Sequence, residues 1–408
     1  MRDHIVVLLN NFRREKLYTA LNIGGLALGL ASCLLLGLFL HNELTYDRHY
    51  PNHRNIYRIA NEFITNGRPE PMAMTADALG PMLAGEYPAK VLDYVRIRPL
   101  MREGGSTAMR RPEQPEKVFY WENSYIADDN IFDVFPVQVI HGDPKTALVN
   151  GASVAISQSV ARKYFGDENP VGKLLATDSS AYSTVVTLVF RDQPPNTHLK
   201  YDLLFSYNQP FLRIGDTAAQ RRQRLVAING FTYLVMHASF RPAEWERMSR
   251  DFIDKYMGED LRAGNIQWRS WLQPLVRTHV QTEAGYDRPN GNAAYLLGCA
   301  AVALVILLIA CINYMNLATA RAARRARSVA LRKILGASRL SLAAQFLAEA
   351  LLLAFVAFLL AVSLVEVTLR FTPVAGLFEG RVTLDLLREP LPALWLLGIA
   401  MGVGLLSG

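Results

Sequence analysis

Only three cysteines occur in the 408 residues, and all three (Cys33, Cys299 and Cys311) lie in apolar runs. Three cannot build a disulfide framework, so the polar part of the chain folds without one. Charge is scarce too: 19% of residues are charged and 51% hydrophobic, whereas a water-soluble domain usually carries about 25% charged residues. Motifs for chemistry are also missing. The eight histidines are mostly scattered, and His49 and His53, four apart, have Pro51 between them and no glutamate, which excludes the zincin helix. No nucleophile elbow, paired-carboxylate motif or Cys/His metal spacing occurs. The stretch GDENPVGK at 166–173 resembles a phosphate loop, but five residues separate its glycines and Leu174 follows the lysine. That loop needs four residues there and a Ser or Thr after the lysine, so a turn following a helix is the better reading. The chain is expected to be neither an enzyme nor a holder of metal or cofactor.

Long apolar runs are what the chain does have. Residues 17–40 and 293–320 are uncharged over 24 and 28 residues, 340–365 carries the single charge of Glu349, and 390–408 is uncharged. A membrane helix needs about 20 mostly apolar residues, so four spans are expected. The mean hydropathy of +0.11 leaves room for a large polar domain. The first run exceeds a signal-peptide core and no small-x-small site follows it, which favours an uncleaved anchor.

The net charge of +7 is unevenly placed. Residues 41–294 hold 29 charges of each sign, whereas residues 319–340 hold seven Arg/Lys and no acid. A nucleic-acid domain would spread its basic residues over a folded face. A basic segment wedged between apolar runs instead marks the cytoplasmic side of a membrane protein. With Arg2, Arg13, Arg14 and Lys16 ahead of the first span, the expected organisation is a cytoplasmic N-terminus (1–16), a first span (17–40), an external domain (41–292) and a second span (293–318). A cytoplasmic coupling segment (319–339), a third span (340–369), a short external loop (370–389) and a fourth span (390–408) complete it.

The external region reads as mixed α/β. Strand-like patterns fall at 57–61, 91–98, 117–121, 153–156, 184–190 and 231–237. Helices are expected at 76–86, 157–165 and 242–257, the last with Pro242 in its first turn. Gly, Pro and Asp mark loops at 67–71, 104–115 and 194–196. The fold class is thus an α-helical membrane protein of four spans, with a large α/β domain inserted between helices 1 and 2. Within the first span, Gly25 and Gly29 form a GxxxG pair suited to close helix contact, a dimer face among the options.

The stretch 311–352 (CINYMNLATARAARRARSVALRKILGASRLSLAAQFLAEALL) is the most informative. Asn313 and Asn316 sit where the span nears the cytoplasm. Leu331, Ile334 and Leu335 make a narrow apolar face on an Arg-rich run. Gly336 is a helix terminator and Ser338 a helix cap. This predicts a short amphipathic helix, a sharp stop and then the third span. Its uses are lipid contact that fixes topology or docking of a cytoplasmic partner as a helix in a groove. Glu349 is costly in lipid and is expected to face protein, paired with a polar residue such as Asn313 or Asn316.

The segment NLATARAARRARSVALRKILGASRLSLAAQFLAEALLLA closely resembles the signature of FtsX-like, MacB-type ABC-transporter permeases. The RRxKxYTxLNIxGLxxGLA pattern at 13–31, the stretch at 131–175 and FRDQPPNTHLKYDLLFS at 190–206 extend the resemblance over nearly the whole chain. It implies a non-catalytic transmembrane subunit of the bacterial inner membrane with a periplasmic MacB-like core domain. ATP and magnesium belong to a partner ATPase. The resemblance makes the Arg-rich element the surface that meets this ATPase, here Arg325, Arg327, Leu331, Arg332, Lys333, Ile334, Leu335 and Gly336. It further implies that ATP hydrolysis moves the periplasmic domain to export or release a substrate. A second permease half or a second copy is an expected partner, as are membrane lipid and a periplasmic adaptor, with no nucleic acid. Many members repeat the unit, so the chain looks like a first half or a fragment. The alternative is a signalling or regulatory protein whose periplasmic domain senses or controls a partner.

Overall fold

The computed structural model describes residues 16–101, 105–177, 183–209, 212, 217–280, 285, 287, 291–334, 338–373 and 391–407. The chain divides into two compact units, Met1–Leu44 with Ala293–Gly408, and Thr45–Asn292. Helix α1 (Lys16–Leu44) precedes the polar unit. That unit runs β1 (Ile56–Thr65), β2 (Arg68–Met72), β3 (Thr75–Ala76), α2 (Leu79–Glu86), β4 (Val91–Pro99), β5 (Thr107–Arg111), β6 (Gln114–Trp121), β7 (Ser124–Ala127) and α3 (Ile131–Val134). It continues with β8 (Val139–Gly142), β9 (Ser153–Ser157), α4 (Gln158–Phe165), β10 (Leu174–Thr177), β11 (Ser183–Phe190), β12 (Leu203–Ser206), α5 (Ala218–Leu225), β13 (Ile228–Met236), α6 (Trp245–Ala263) and β14 (Ile266–Pro274). Helices α7 (Ala293–Ile334), α8 (Arg339–Phe371) and α9 (Leu391–Ser407) follow.

Among the described residues the strands form one mixed sheet in the order β14-β1-β13-β4-β7-β12-β9-β11-β10-β5-β6, with β2, β3 and β8 paired alongside β1, β13 and β11. Only the β12–β7 and β11–β9 pairs are parallel; the other pairs run antiparallel. Helices α2 and α6 cover β1, β4 and β13 through Leu79, Leu83, Met248, Phe252 and Ile253. Helix α4 covers β9, β11 and β12 through Val160, Tyr164 and Phe165. A third cluster joins the two halves, with Ile56, Val95 and Tyr233 packed with Phe135, Leu188 and Phe190. Ser157, expected as the first residue of a helix over 157–165, caps α4 instead, its Oγ accepting from the Val160 N–H at 3.4 Å.

Two expected loops are hairpins. Residues 67–71 were expected to be irregular, yet Asn66 and Gly67, at φ 52° and 74°, make a tight turn that pairs Thr65 with Arg68. Positive φ at both central residues suits Asn-Gly and matches the twist of the strands. Pro69 and Pro71 are tolerated because β2 lies at an edge, where a missing N–H breaks no ladder. In 104–115, β5 and β6 pair through Arg111 and Gln114; their charged residues hide the alternation. Helix α2 begins at Leu79 rather than at 76, because Ala76 belongs to β3 and pairs with Ile228.

In the other unit, α1, α7 and α8 are long and apolar enough to cross a membrane, while α9 contributes a shorter apolar helix, Ala393–Leu405. Helices α1 and α7 approach closely along a stripe of small residues on α1. A Cβ on Gly29 would lie 2.4 Å from the Ala310 Cβ, and one on Gly25 would lie 3.0 Å from the Asn313 Nδ2. One turn further, Cys33 Sγ donates to the Ala303 carbonyl at 3.2 Å. The descending order of partners on α7 shows the two helices to be antiparallel. The GxxxG pair is therefore taken up within the chain by α7, which removes the dimer-face option for it. Lipid offers no hydrophobic drive for helix association, so close van der Waals contact along such stripes supplies it. Helix α8 presents Ala354, Ala357 and Ala361 to the same core, and α9 adds Leu396 and Ala400.

Candidate functional site

The Arg-rich segment is not a separate short helix. Helix α7 continues without a described break from the apolar run to Ile334, 42 residues in all. At 1.5 Å per residue this is about 63 Å, roughly twice the 30 Å hydrocarbon core of a bilayer. The uncharged run ends at Ala320, so residues 321–334 extend the same rod by about 21 Å. No Pro or Gly interrupts 299–334, and alanine, leucine and arginine are strong helix formers, which explains why the helix does not stop at the end of its apolar part.

At the end of this rod Leu331 is 58% and Ile334 is 83% exposed. Three residues apart, they share one helix face. Leu335 and Gly336 lie outside the described residues, as do the side chains of Arg325, Arg327, Arg332 and Lys333. Helix α8 then starts at a conventional cap, Ser338 Oγ accepting from the Ser341 N–H at 3.2 Å, with Leu340 also 83% exposed. The site predicted from sequence is thus the tip of a continuous helix followed by a capped helix, and its two described apolar residues are uncovered.

Of the intramembrane polar residues, Glu349 is buried at 4% exposure, whereas Asn313 and Asn316 are exposed. The carboxylate is thus enclosed by protein, as expected, while both asparagines stand at the surface of the unit. Its neighbour Ala350 accepts a hydrogen bond from the buried Tyr314 hydroxyl of α7 at 3.1 Å, which ties α7 to α8 one residue away.

The lookalike phosphate loop is a helix terminator. Gly166, at φ 63°, ends α4, and Gly172 donates to the Val186 carbonyl at 2.8 Å. A helix precedes this loop and a strand follows it, the reverse of the strand–loop–helix order that aims backbone N–H groups at phosphate. Lys173 turns back to pair with Glu168. Among the described residues no group of three His, Cys, Asp or Glu side chains is placed to hold a metal ion. His53 is held by the Tyr50 carbonyl through Nδ1 at 2.8 Å, and His49 packs on the Tyr50 ring.

Two buried polar clusters escaped the sequence. In one, Arg96 of β4 grips Asp128 through Nη2 at 2.6 Å and Nε at 3.0 Å, with its guanidinium 4.1 Å from the Tyr207 ring centre. Burial works against the Arg96 charge, but the hydrogen bonds it donates to Asp128 and the attraction of that carboxylate outweigh it and hold the pKa above the ordinary arginine value. In the other, Asp47 Oδ2 takes the His198 Nδ1 at 2.7 Å, and His198 Nε2 meets the Tyr233 hydroxyl at 2.8 Å. Arg58, opposite Tyr233 on the next strand, donates to Asp287 Oδ1 at 2.8 Å and to Gln273 Oε1 at 2.8 Å. Burial pushes the Tyr233 hydroxyl well above the usual phenol range, with Arg58 opposing. His198 lies 151 residues from Asp47, and Asp287 lies 229 from Arg58. No spacing pattern signals pairs so far apart.

The comparisons agree with the geometry. The family model of the MacB-like periplasmic core domain matches residues 19–229, and that of the FtsX-like permease C-terminal region matches residues 300–408. The chain belongs to the family of FtsX-like permeases with a MacB-like periplasmic core domain. No curated protein sequence matches the chain. Three solved structures match part of the chain at low similarity. A domain of a presumed permease protein from Porphyromonas gingivalis is 20% identical, with a TM-score of 0.46 over 56% of this chain and 92% of that one. The periplasmic region of MacB from Actinobacillus actinomycetemcomitans is 14% identical, with a TM-score of 0.34 over 52% and 87%. The extracellular domain of the noncanonic ABC-type transporter YknZ from Gram-positive bacteria is 12% identical, with a TM-score of 0.34 over 54% and 100%.

Proposed function

We propose that the chain is the permease subunit of an ABC transporter in the bacterial inner membrane, with its N-terminus and the tip of α7 in the cytoplasm. A separate ATPase binds ATP and magnesium, and this chain, itself neither an enzyme nor a cofactor holder, converts the ATPase cycle into movement of the periplasmic domain. The movement exports or releases a substrate. The continuity of α7 is the observation that carries this reading. A displacement at Leu331 and Ile334 passes along one hydrogen-bonded rod into the membrane, with no loop to absorb it. Leu331, Ile334 and Leu335 serve as apolar anchors, and Arg325, Arg327, Arg332 and Lys333 meet acidic groups at the rim. Anchors of this kind carry most interface energy, whereas rim charges set rate and salt dependence. Gly336 belongs to the same proposed contact surface. Helix α9 serves as a fourth span, and a second four-span unit, from a partner half or a second copy, completes the transporter.

The test is reconstitution. The purified chain in lipid nanodiscs, mixed with a candidate ABC ATPase from the same organism, should form a complex and change that ATPase's turnover. An ATPase that neither binds nor changes its turnover in the presence of the chain would sink the assignment.

A further inference from the structure

Two segments connect the polar domain to membrane helices. The first follows α1, with Tyr46 and Asp47 two and three residues beyond Leu44. The second precedes α7, with Asp287 six residues before Ala293. Both connections are pinned to neighbouring strands, the first to β13 through His198 and the second to β1 through Arg58. The Arg58 of β1 stands directly opposite Tyr233 of β13 and Gln273 of β14, so the three side chains form a row on one face of the sheet. One end of the row is closed by Asp287, which Arg58 holds with two nitrogens at 2.8 and 2.5 Å. The other end is closed by His198, which bridges Tyr233 to Asp47 at 2.8 and 2.7 Å.

The Asp47 carboxylate accepts three hydrogen bonds. Besides His198 Nδ1 it accepts from the Thr197 hydroxyl at 2.9 Å and the His198 N–H at 3.1 Å, while its own N–H donates to Asn196 at 3.0 Å. It is 0% exposed and sits at φ 59°, a left-handed conformation that a residue other than glycine adopts only where its surroundings hold it there. The two connections also meet directly: the Tyr46 ring stacks on His279 with centroids 3.5 Å apart and planes within 1°. The outgoing segment has a further pin, Gly285, which donates to the Pro71 carbonyl at 2.8 Å and accepts from the Ala73 N–H at 3.2 Å.

We infer that the buried chain Asp47–His198–Tyr233–Arg58–Asp287 is a clamp that couples the two membrane connections of the periplasmic domain through β13 and β1, so that loosening one loosens the other. Buried ion pairs are poor sources of stability and well-packed apolar residues often replace them without loss. What such a chain supplies is a defined geometry, because each member is directional and leaving one unpaired is costly. In the tautomer that carries its proton on Nδ1, His198 donates to the Asp47 carboxylate and accepts from the Tyr233 hydroxyl at Nε2. The hydrogen bonds thus run in one sense from Tyr233 to the carboxylate. A clamp of this kind holds the two connections to one another whatever drives the helices, so it stands or falls separately from the ATPase assignment.

Hydrogen–deuterium exchange on the full chain in lipid nanodiscs tests this, with one connection perturbed and the other read. Asp287→Asn removes the charge held by Arg58. It should speed exchange at the Asp47 and His198 N–H groups, at the far end, about tenfold, with β9 unchanged. Tyr233→Phe keeps the ring in the core and cuts the centre of the chain, so it should speed exchange at both Asp47 and Gly285. Exchange that rises only beside Arg58 and Gln273, with Asp47 and His198 at the parental rate, would overturn the clamp. Should Asp287→Asn unfold the domain, seen as lost protection of β9, Tyr233→Phe decides alone: a change at one connection and not the other contradicts coupling.

Discussion

In the membrane unit, α1 and α7 meet through Gly25, Gly29 and Cys33, small groups that bring backbones together. The periplasmic core domain instead encloses Arg58, Asp47 and Asp128 at 2%, 0% and 8% exposure. The difference follows from the solvent. Lipid is as apolar as a leucine side chain, so the membrane unit gains little by hiding leucines and holds together by close fit. The periplasmic domain faces water, buries its apolar residues for the hydrophobic effect and can enclose charges wherever each has a partner. Close contact is therefore the vulnerable feature of one unit, and paired charge that of the other.

The largest effect expected is in the periplasmic domain. Arg58→Met leaves Asp287 buried without its guanidinium, and removing one member of a buried pair costs about 3–5 kcal/mol. Denaturant unfolding of the periplasmic transition should show this loss. A smaller loss would mean that the pocket admits water and that the contrast between the units is weaker than drawn here.

Next comes Gly29→Ala. A Cβ placed 2.4 Å from that of Ala310 forces α1 and α7 apart, and overpacking of this kind costs about 1–3 kcal/mol. Thermal stability in detergent should fall, while Gly24→Ala, with open space around its Cβ position, should leave it unchanged. Equal effects at both positions would show that the stripe does not set the helix contact.

The smallest effect concerns the domain surface. Hydrogen bonds from Lys255 Nζ at 2.6 Å and the Tyr256 hydroxyl at 2.8 Å hold the Glu86 pKa below its ordinary 4.5. A depressed carboxylate pKa adds stability above the ordinary value, and that increment is lost as pH falls through the folded one. Glu86→Gln should therefore lower the melting temperature slightly at neutral pH and match the parent in acid. An unchanged difference at both pH values would show that the pair acts through packing.

The sequence made the membrane unit legible because its signal is local. Apolar length, one basic segment and the Ser338 cap are all properties of neighbouring residues. The second span was placed closely, 293–318 against Ala293–Leu317, but the end of its helix was not, because the hydropathy drop at Arg321 ends the apolar run and not the helix. In the periplasmic domain the long strands showed their alternation, and α4 showed its extent to within one residue. The hairpin at Asn66–Gly67 went unread although its turn dipeptide is a strong signal, because the prolines beyond it suggest a loop. His198 and Asp287 had no local signal, since their partners come from strands brought together only by the sheet.

The continuous α7 rod ends in an exposed apolar face, and pull-down of the ABC ATPase with tip variants shows whether that face couples to it. Leu331→Asp combined with Leu335→Asp should abolish association and leave membrane insertion intact, since an unpaired carboxylate forced into an apolar groove costs several kcal/mol, comparable to the binding energy. Arg325→Ala should weaken association less, and its effect should shrink at high salt as screening grows. An ATPase that still co-purifies fully with the double-Asp variant, while Arg325→Ala disturbs orientation in the membrane, would contradict the account and leave the tip as a topology-fixing basic segment.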